Sequence, residues 1–182
     1  MEEHFDVCDP WGVPTGEALP RNEVHRRGLW HRSSHLWVVN SRREVLLQRR
    51  HPEKQTDPGR WDIAVAGHLS AGQSPLEAIV REAQEELGLV LDPAALVFLG
   101  ASPKEYLEPG FADREWQHAF ATVWNGHLDT LVLQADEVTA ARWIDLEAYR
   151  AAVFTGDEAY VGRREDWPAF QAWLVSGHQG TS

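Results

Sequence analysis

Between Arg81 and Gly88 the chain reads Arg-Glu-Ala-Gln-Glu-Glu-Leu-Gly, which puts three carboxylates, Glu82, Glu85 and Glu86, within five positions. On a helix, residues at i, i+3 and i+4 share one arc, so the three project from a single rigid face. Like charges at those spacings repel and destabilise an isolated helix by roughly 0.2–0.5 kcal/mol per pair. A divalent cation would remove that cost. Mg²⁺ prefers oxygen ligands and keeps several waters, so a few carboxylates from one helix suffice to hold it. A metal held this way neutralises phosphate oxygens and lowers the pKa of bound water, which phosphoanhydride hydrolysis needs. The competing reading of such a stripe is a solvated helix face.

The flanking residues define the helix that carries this face. Ser74, Pro75 and Glu77 supply an N-cap, a first-turn proline and a capping-box partner, and Gly88 stands where a C-cap glycine belongs. Leu76, Ile79, Val80, Ala83 and Leu87 gather opposite the carboxylates as the stripe expected to be buried. Phe5–Cys8 and Val13–Gly16 flank a turn sequence and predict a hairpin. His35–Asn40 and Val45–Arg49 read as strands joined through Ser41–Glu44, and Trp61–Gly67 as a strand leading into the motif loop. Leu96–Tyr106 and Glu115–Trp124 form a longer pair connected through Pro109-Gly110. Val138–Trp143 is a further strand, and Leu146–Val153 and Trp167–Leu174 are late helices. Strands interleaved with helices predict an α/β fold, an α/β/α sandwich around a mixed β-sheet, as one domain over residues 1–182.

Composition narrows the partners. The chain is 43% apolar, nine of its residues are Trp, and no apolar run approaches the roughly 20 residues of a membrane span. Its first residues, MEEHFDV, are acidic and polar, unlike a secretory signal, and Cys8 has no second cysteine to pair with. A cytoplasmic location is the expectation. The net charge of −11 is uneven: residues 1–60 carry 10 Lys and Arg against 9 Asp and Glu, and residues 61–182 carry 7 against 19. Such acidity argues against a nucleic-acid polymer as partner, and nothing points to a membrane. A small anionic substrate remains compatible if metal ions cover the carboxylates and basic residues supply anion contacts. Arg49, Arg50, Lys54 and Arg60, just before the motif, are the candidates, with a solubilising loop as the alternative.

Residues 67–89 resemble a Nudix box, G-x5-E-x7-R-E-U-x-E-E-x-G-U with U aliphatic. Gly67, Arg81, Glu82, Glu85, Glu86, Gly88 and Leu89 match in register, Ala83 is a small version of U, and Gln73 replaces the first glutamate. The resemblance implies the Nudix α/β/α sandwich, catalysis centred on the box and Mg²⁺ or Mn²⁺ as cofactor. It also makes Glu82, Glu85 and Glu86 metal ligands, Arg81 an organiser paired with a box carboxylate or Glu77, and Glu115 either general base or a further ligand.

From about Asp6 to about Trp143 the chain is also similar to the isopentenyl diphosphate isomerase-like branch of that family. The similarity takes in Gly12–Gly16, Leu47–Lys54, Pro58-Gly59-x-Trp61, Gly67-His68 and Glu115. Isomerases place a catalytic cysteine just before the Gly-His pair; here Ala66 stands there, and alanine cannot move a proton to an alkene. The branch builds a second metal site from three histidines and two acids, which implies His25, His31, His68 and Glu115 with Asp113 as fifth. His, Asp and Glu suit a borderline divalent cation. The register at His25 needs a one-residue gap, and a satisfied structural histidine is the alternative. Trp30, Trp37, Trp61 and Trp116 are candidate stacking partners for a base, or core aromatics.

The resulting expectation is a metal-dependent hydrolase of phosphoanhydride bonds in nucleoside diphosphate-type substrates, releasing a monophosphate. Alternatives are hydrolysis of isoprenoid or thiamin diphosphates, and a non-catalytic Nudix ligand-binding domain.

Overall fold

The run Leu36–Val39 is apolar at every position, which requires burial on both faces of a strand. The computed structural model, which describes residues 3–108 and 111–176, meets this requirement. Strand β3 (Trp30–Val39) lies inside a mixed sheet with helices on both sides. Leu36 and Val38 pack into one core with Ile79, Ala83 and Leu87 of α2 (Pro75–Leu87). Trp37 and Val39 face the other core, with Tyr149 and Val153 of α3 (Leu146–Thr155) and Phe170 and Trp173 of α4 (Trp167–Val175). This is the expected α/β/α sandwich.

Strand β1 (His4–Cys8) and β2 (Pro14–Pro20) form an antiparallel hairpin, and β1 touches β3 at Cys8↔Trp30. β4 (Glu44–Arg50) pairs antiparallel with β5 (Trp61–Ile63) and β9 (Val138–Asp145). β6 (Val65–His68) runs antiparallel to β3, and β8 (Phe111–Val123) runs parallel to β3 while pairing antiparallel with β7 (Val97–Glu108). The expected Pro109-Gly110 connection lies outside the described residues.

Two expectations need correction. Trp61–Gly67 is not one strand: the chain leaves β4 at Ile63 and pairs with β3 from Val65, with fully buried Ala64 at the break. The segment after the first hairpin contains an unexpected helix, α1 (Arg21–Arg27), closed by Gly28 at φ 61 in the left-handed region. Its sequence hides it, because only Val24 and His25 are buried and no apolar stripe develops.

A buried polar network ties the late helices to the sheet. Arg163 donates to both oxygens of fully buried Asp62, at 2.9 and 2.6 Å, and its Nη1 lies 3.1 Å from His35 Nε2. Asp166, at the start of α4, accepts from Trp37 Nε1 at 3.2 Å and lies 3.4 Å from His35 Nδ1. Both ring nitrogens of His35 thus face partners within this network. Burial alone would raise the Asp62 carboxyl, but Arg163 and then Arg50 hold it down at about 2. Stability from this pair is present above the unfolded carboxyl's value of about 3.9 and lost as pH falls toward 2.

Removing one partner leaves a buried charge uncompensated. Arg163→Met is expected to lower unfolding stability by about 3–5 kcal/mol in urea titration at pH 7, with the deficit shrinking in acid as Asp62 protonates. An unchanged midpoint at pH 7 would contradict this account.

Candidate active site

Helix α2 begins as the sequence dictates. Glu77 N donates to Ser74 Oγ at 3.3 Å, Ser74 N donates to Glu77 Oε2 at 2.9 Å, and Gly88 closes the helix at φ 65. Its buried arc differs from the expected one. Leu76 is 37% exposed, whereas Glu86 is only 6% exposed. The three carboxylates are thus graded in depth: Glu86 buried, Glu82 largely so, and Glu85 half exposed at the rim. Gly67 on β6 permits this arrangement, since a Cβ there would stand 2.8 Å from Glu82 Cδ. Gln48 on β4, buried and polar, donates to Glu86 Oε2 at 3.0 Å.

Arg81 organises the helix face. It donates to Glu85 at 2.7 Å, to Glu82 at 2.8 Å and to Gln73 Oε1 at 3.2 Å. Glu77 is committed to the cap, not to Arg81. Gln73 Oε1 also accepts from Ser70 N at 3.0 Å, so the amide braces the loop onto the helix as a glutamate would, without its charge.

Burial, and then the neighbouring Glu82 charge, push the Glu86 carboxyl up to about 8, against the pull of Lys54. Burial also raises Glu82, against the pull of Arg81. Two desolvated carboxylates side by side are costly unless protonated or bridged by a cation. The donor set therefore fits a hard divalent ion at Glu82 and Glu86, with Glu85 within the same cleft.

That cleft has a volume of about 410 Å³ and also takes in Arg21, Arg50 and Lys54. Lys54 pairs with Glu137, and Arg50 donates to the Thr56 carbonyl. Arg49 and Arg60, expected as anion contacts, do not reach it. Arg49 donates to the Gly59 carbonyl, and Arg60 is bound to Asp57 and to the Glu158 and Tyr160 carbonyls, so both brace the β4–β5 loop. The four tryptophans considered for stacking also lie outside the cleft: Trp37 is in the core, Trp61 lies under Arg142, and Trp116 packs on Gly12. Arg21 and Gln48 went unnoticed in the sequence; a glutamine directly after the apolar run Val45–Leu47 was the available signal.

A second cluster adjoins the cleft. His25 from α1, His31 from β3, His68 from β6 and Asp113 from β8 each present one atom, all within 4.8 Å of one another. The Nε2 atoms of the three histidines and Asp113 Oδ1 are buried without hydrogen-bond partners. His31 Nδ1 lies 3.1 Å from the Leu29 carbonyl, which can only accept, and its Nε2 faces Asp113 Oδ1 at 3.2 Å. Phe5 stacks on the His31 and His68 rings. Burial lowers His25 to about 4, leaving it neutral at pH 7. Burial would lower His68 too, but Asp113 and Glu115 outweigh it and hold it up near 9. His68 Nε2 approaches Glu115 Oε1 to 2.7 Å without hydrogen-bond alignment. Orphaned nitrogen and carboxylate atoms converging in a buried place match the ligand chemistry of Zn²⁺ or Mn²⁺. Glu115 also accepts from Ser33 at 3.1 Å and Gln117 at 2.5 Å. Burial alone would raise its carboxyl, but His68 keeps it well below the usual range.

The family model described as NUDIX domain matches residues 29–163. Nudix hydrolase 3 of Arabidopsis thaliana is 38% identical over 88% of this chain, which spans only 21% of that protein's length. An isopentenyl-diphosphate Delta-isomerase of Escherichia coli is 31% identical, over 95% of this chain and 88% of the relative. Among solved structures, DR0079 from Deinococcus radiodurans superposes with a TM-score of 0.67 at 18% identity, over 94% of this chain and 99% of its own. The NUDIX domain of Shewanella oneidensis NrtR, complexed with ADP ribose, gives 0.57 at 14% identity over 78% and 86%. Several relatives of this chain carry the name Nudix hydrolase, and the chain belongs to the NUDIX domain family.

Proposed function

We propose that the chain hydrolyses the phosphoanhydride bond of small nucleoside diphosphate-type substrates, releasing a monophosphate, with Mg²⁺ or Mn²⁺ at Glu82 and Glu86. The observation that carries this reading is the pair of desolvated carboxylates lining one cleft with Arg21, Arg50 and Lys54. A divalent ion there supplies charge neutralisation and a more acidic water. The protein's own groups do the rest. Lys54 and Arg50 receive the diphosphate oxygens, and Arg81 holds Glu82 and Glu85 in place. Burial and the Glu82 charge raise the Glu86 carboxyl in the metal-free protein, so a divalent ion binds there in competition with a proton, and a general base has to come from a carboxylate outside the Glu82–Glu86 pair.

Glu115 is either that base or a further ligand beside the histidine cluster; its donors favour the ionised form, which suits the ligand role better. His25, His31, His68 and Asp113 hold a second cation. A cleft of about 410 Å³ falls in the range of ligand pockets, and the ADP ribose bound by the Shewanella domain supports a nucleotide-like occupant. The similarity to an isomerase favours prenyl diphosphate hydrolysis as a second reading, but Ala66 removes the isomerase proton donor.

A phosphate-release screen over nucleoside di- and triphosphates, dinucleotides, nucleotide sugars and isoprenyl diphosphates tests the reading. Activity is expected with Mg²⁺ or Mn²⁺ and should vanish in excess chelator. Glu86→Gln should cut kcat by at least about 100-fold with an unchanged melting curve; near-native turnover would remove Glu86 from the mechanism.

Gly67→Ala should lower turnover by displacing Glu82, again with the fold retained. For the histidine cluster, His31→Ala should abolish the tightly held equivalent of metal seen by elemental analysis of the purified protein. Equal metal content in both proteins would show that the cluster is structural.

A further inference from the structure

Of the three acids that α2 turns toward the cleft, two are held by a positive charge and one is not. Arg81 donates to Glu85 at 2.7 Å and to Glu82 at 2.8 Å. Glu86 lies deepest, and its carboxylate has one hydrogen-bond donor among the described residues, the neutral amide of Gln48. Gln48 Nε2 reaches Glu86 Oε2 at 3.0 Å. The cations nearby are committed elsewhere, Lys54 to Glu137 and Arg50 to the Thr56 carbonyl. The charge of an ionised Glu86 is therefore left for a bound cation to balance.

Gln48 sits where its direction is fixed. β4 is paired on both sides at this position, with Asp62 of β5 and with Ala141 of β9. Leu46 packs into the core beneath α2 and Leu47 into the opposite core, so alternation turns Gln48 toward α2. Its side chain is 2% exposed. A buried donor that holds one carboxylate oxygen presents the other in a set direction, and ligand carboxylates depend on such partners for their orientation. A neutral donor does this without cancelling the charge that attracts the ion. A lysine or arginine at the same place would compensate Glu86 by itself and compete with the metal.

We propose that Gln48 is a positioning residue for the divalent ion and acts through Glu86. By fixing Oε2 it aims Oε1 at the ion and sets how tightly the α2 carboxylates hold it. This rests on the cation proposed at Glu82 and Glu86, and it adds a determinant of affinity from the sheet, outside the motif helix.

Titration of the whole chain with Mn²⁺, followed by the EPR signal of the free ion, tests this. The binding component that disappears in Glu86→Gln defines the α2 site. Its Kd is expected to rise about 10–100-fold in both Gln48→Met and Gln48→Leu. Gln134 lines the same cleft but meets Glu86 only through its backbone N–H, 2.9 Å from the Glu86 carbonyl. Gln134→Met should therefore shift the Kd by less than about threefold. Melting curves in chelator separate a merely structural role, which would lower the melting point of the Gln48 variants and leave the Kd as it was. An unchanged Kd in either Gln48 variant, or an equal loss in Gln134→Met, would overturn the inference and leave the cation reading standing. If Glu86→Gln removed no component, the cation reading itself would fall and take this inference with it.

Discussion

Ten consecutive residue pairs join β3 to β8 in parallel, from Trp30↔Arg114 to Val39↔Val123. Because side chains alternate across a sheet, this one register decides which residues share a face. It sets His31, Ser33, His35 and Trp37 on the same side as Asp113, Glu115, Gln117 and Ala121. A slip of one residue would move every acid away from the histidines. β6 joins the same register through Ser33↔His68 and His35↔Ala66. Histidine cluster, buried polar network and aromatic core follow one another along a single face, in that order from one end of β3 to the other.

The opposite face explains the depth of the α2 carboxylates. Gly67 points toward α2, and its missing side chain allows Glu82 to lie against the strand. Gln48 on β4 then receives Glu86 from below. The helix supplies the acids, but the sheet sets how far each is removed from water, and hence how strongly each responds to a cation.

Much of this was legible in the chain. The caps and spacing of residues 74–88 named the helix and its carboxylates, since capping and periodicity are local properties. His35–Asn40 read as a strand for the same reason, though the layers that cover it did not. What escaped depends on tertiary pairing. The partner change at Ala64 leaves no local mark, because both halves read as β. Helix α1 is held by the burial of Val24 and His25 and lacks a stripe of its own. The rotation that exposes Leu76 and buries Glu86 runs against hydrophobicity, and only the glycine on a distant strand and a buried glutamine make it tolerable. Basicity alone could not sort Arg50 and Lys54 from Arg49 and Arg60, because alternation along β4 sends Arg49 and Arg50 to opposite faces.

The four groups of the histidine cluster come from α1, β3, β6 and β8, elements scattered over 89 positions of sequence between His25 and Asp113. Their convergence makes the cluster a clasp as well as a ligand set. α1 is held by Val24, packed with Phe5 and Val7, and by His25, so a cation held by the cluster would add to the ordering of the N-terminal segment. A cation there would tie four separate elements at one point, and its loss would loosen the first helix before the core.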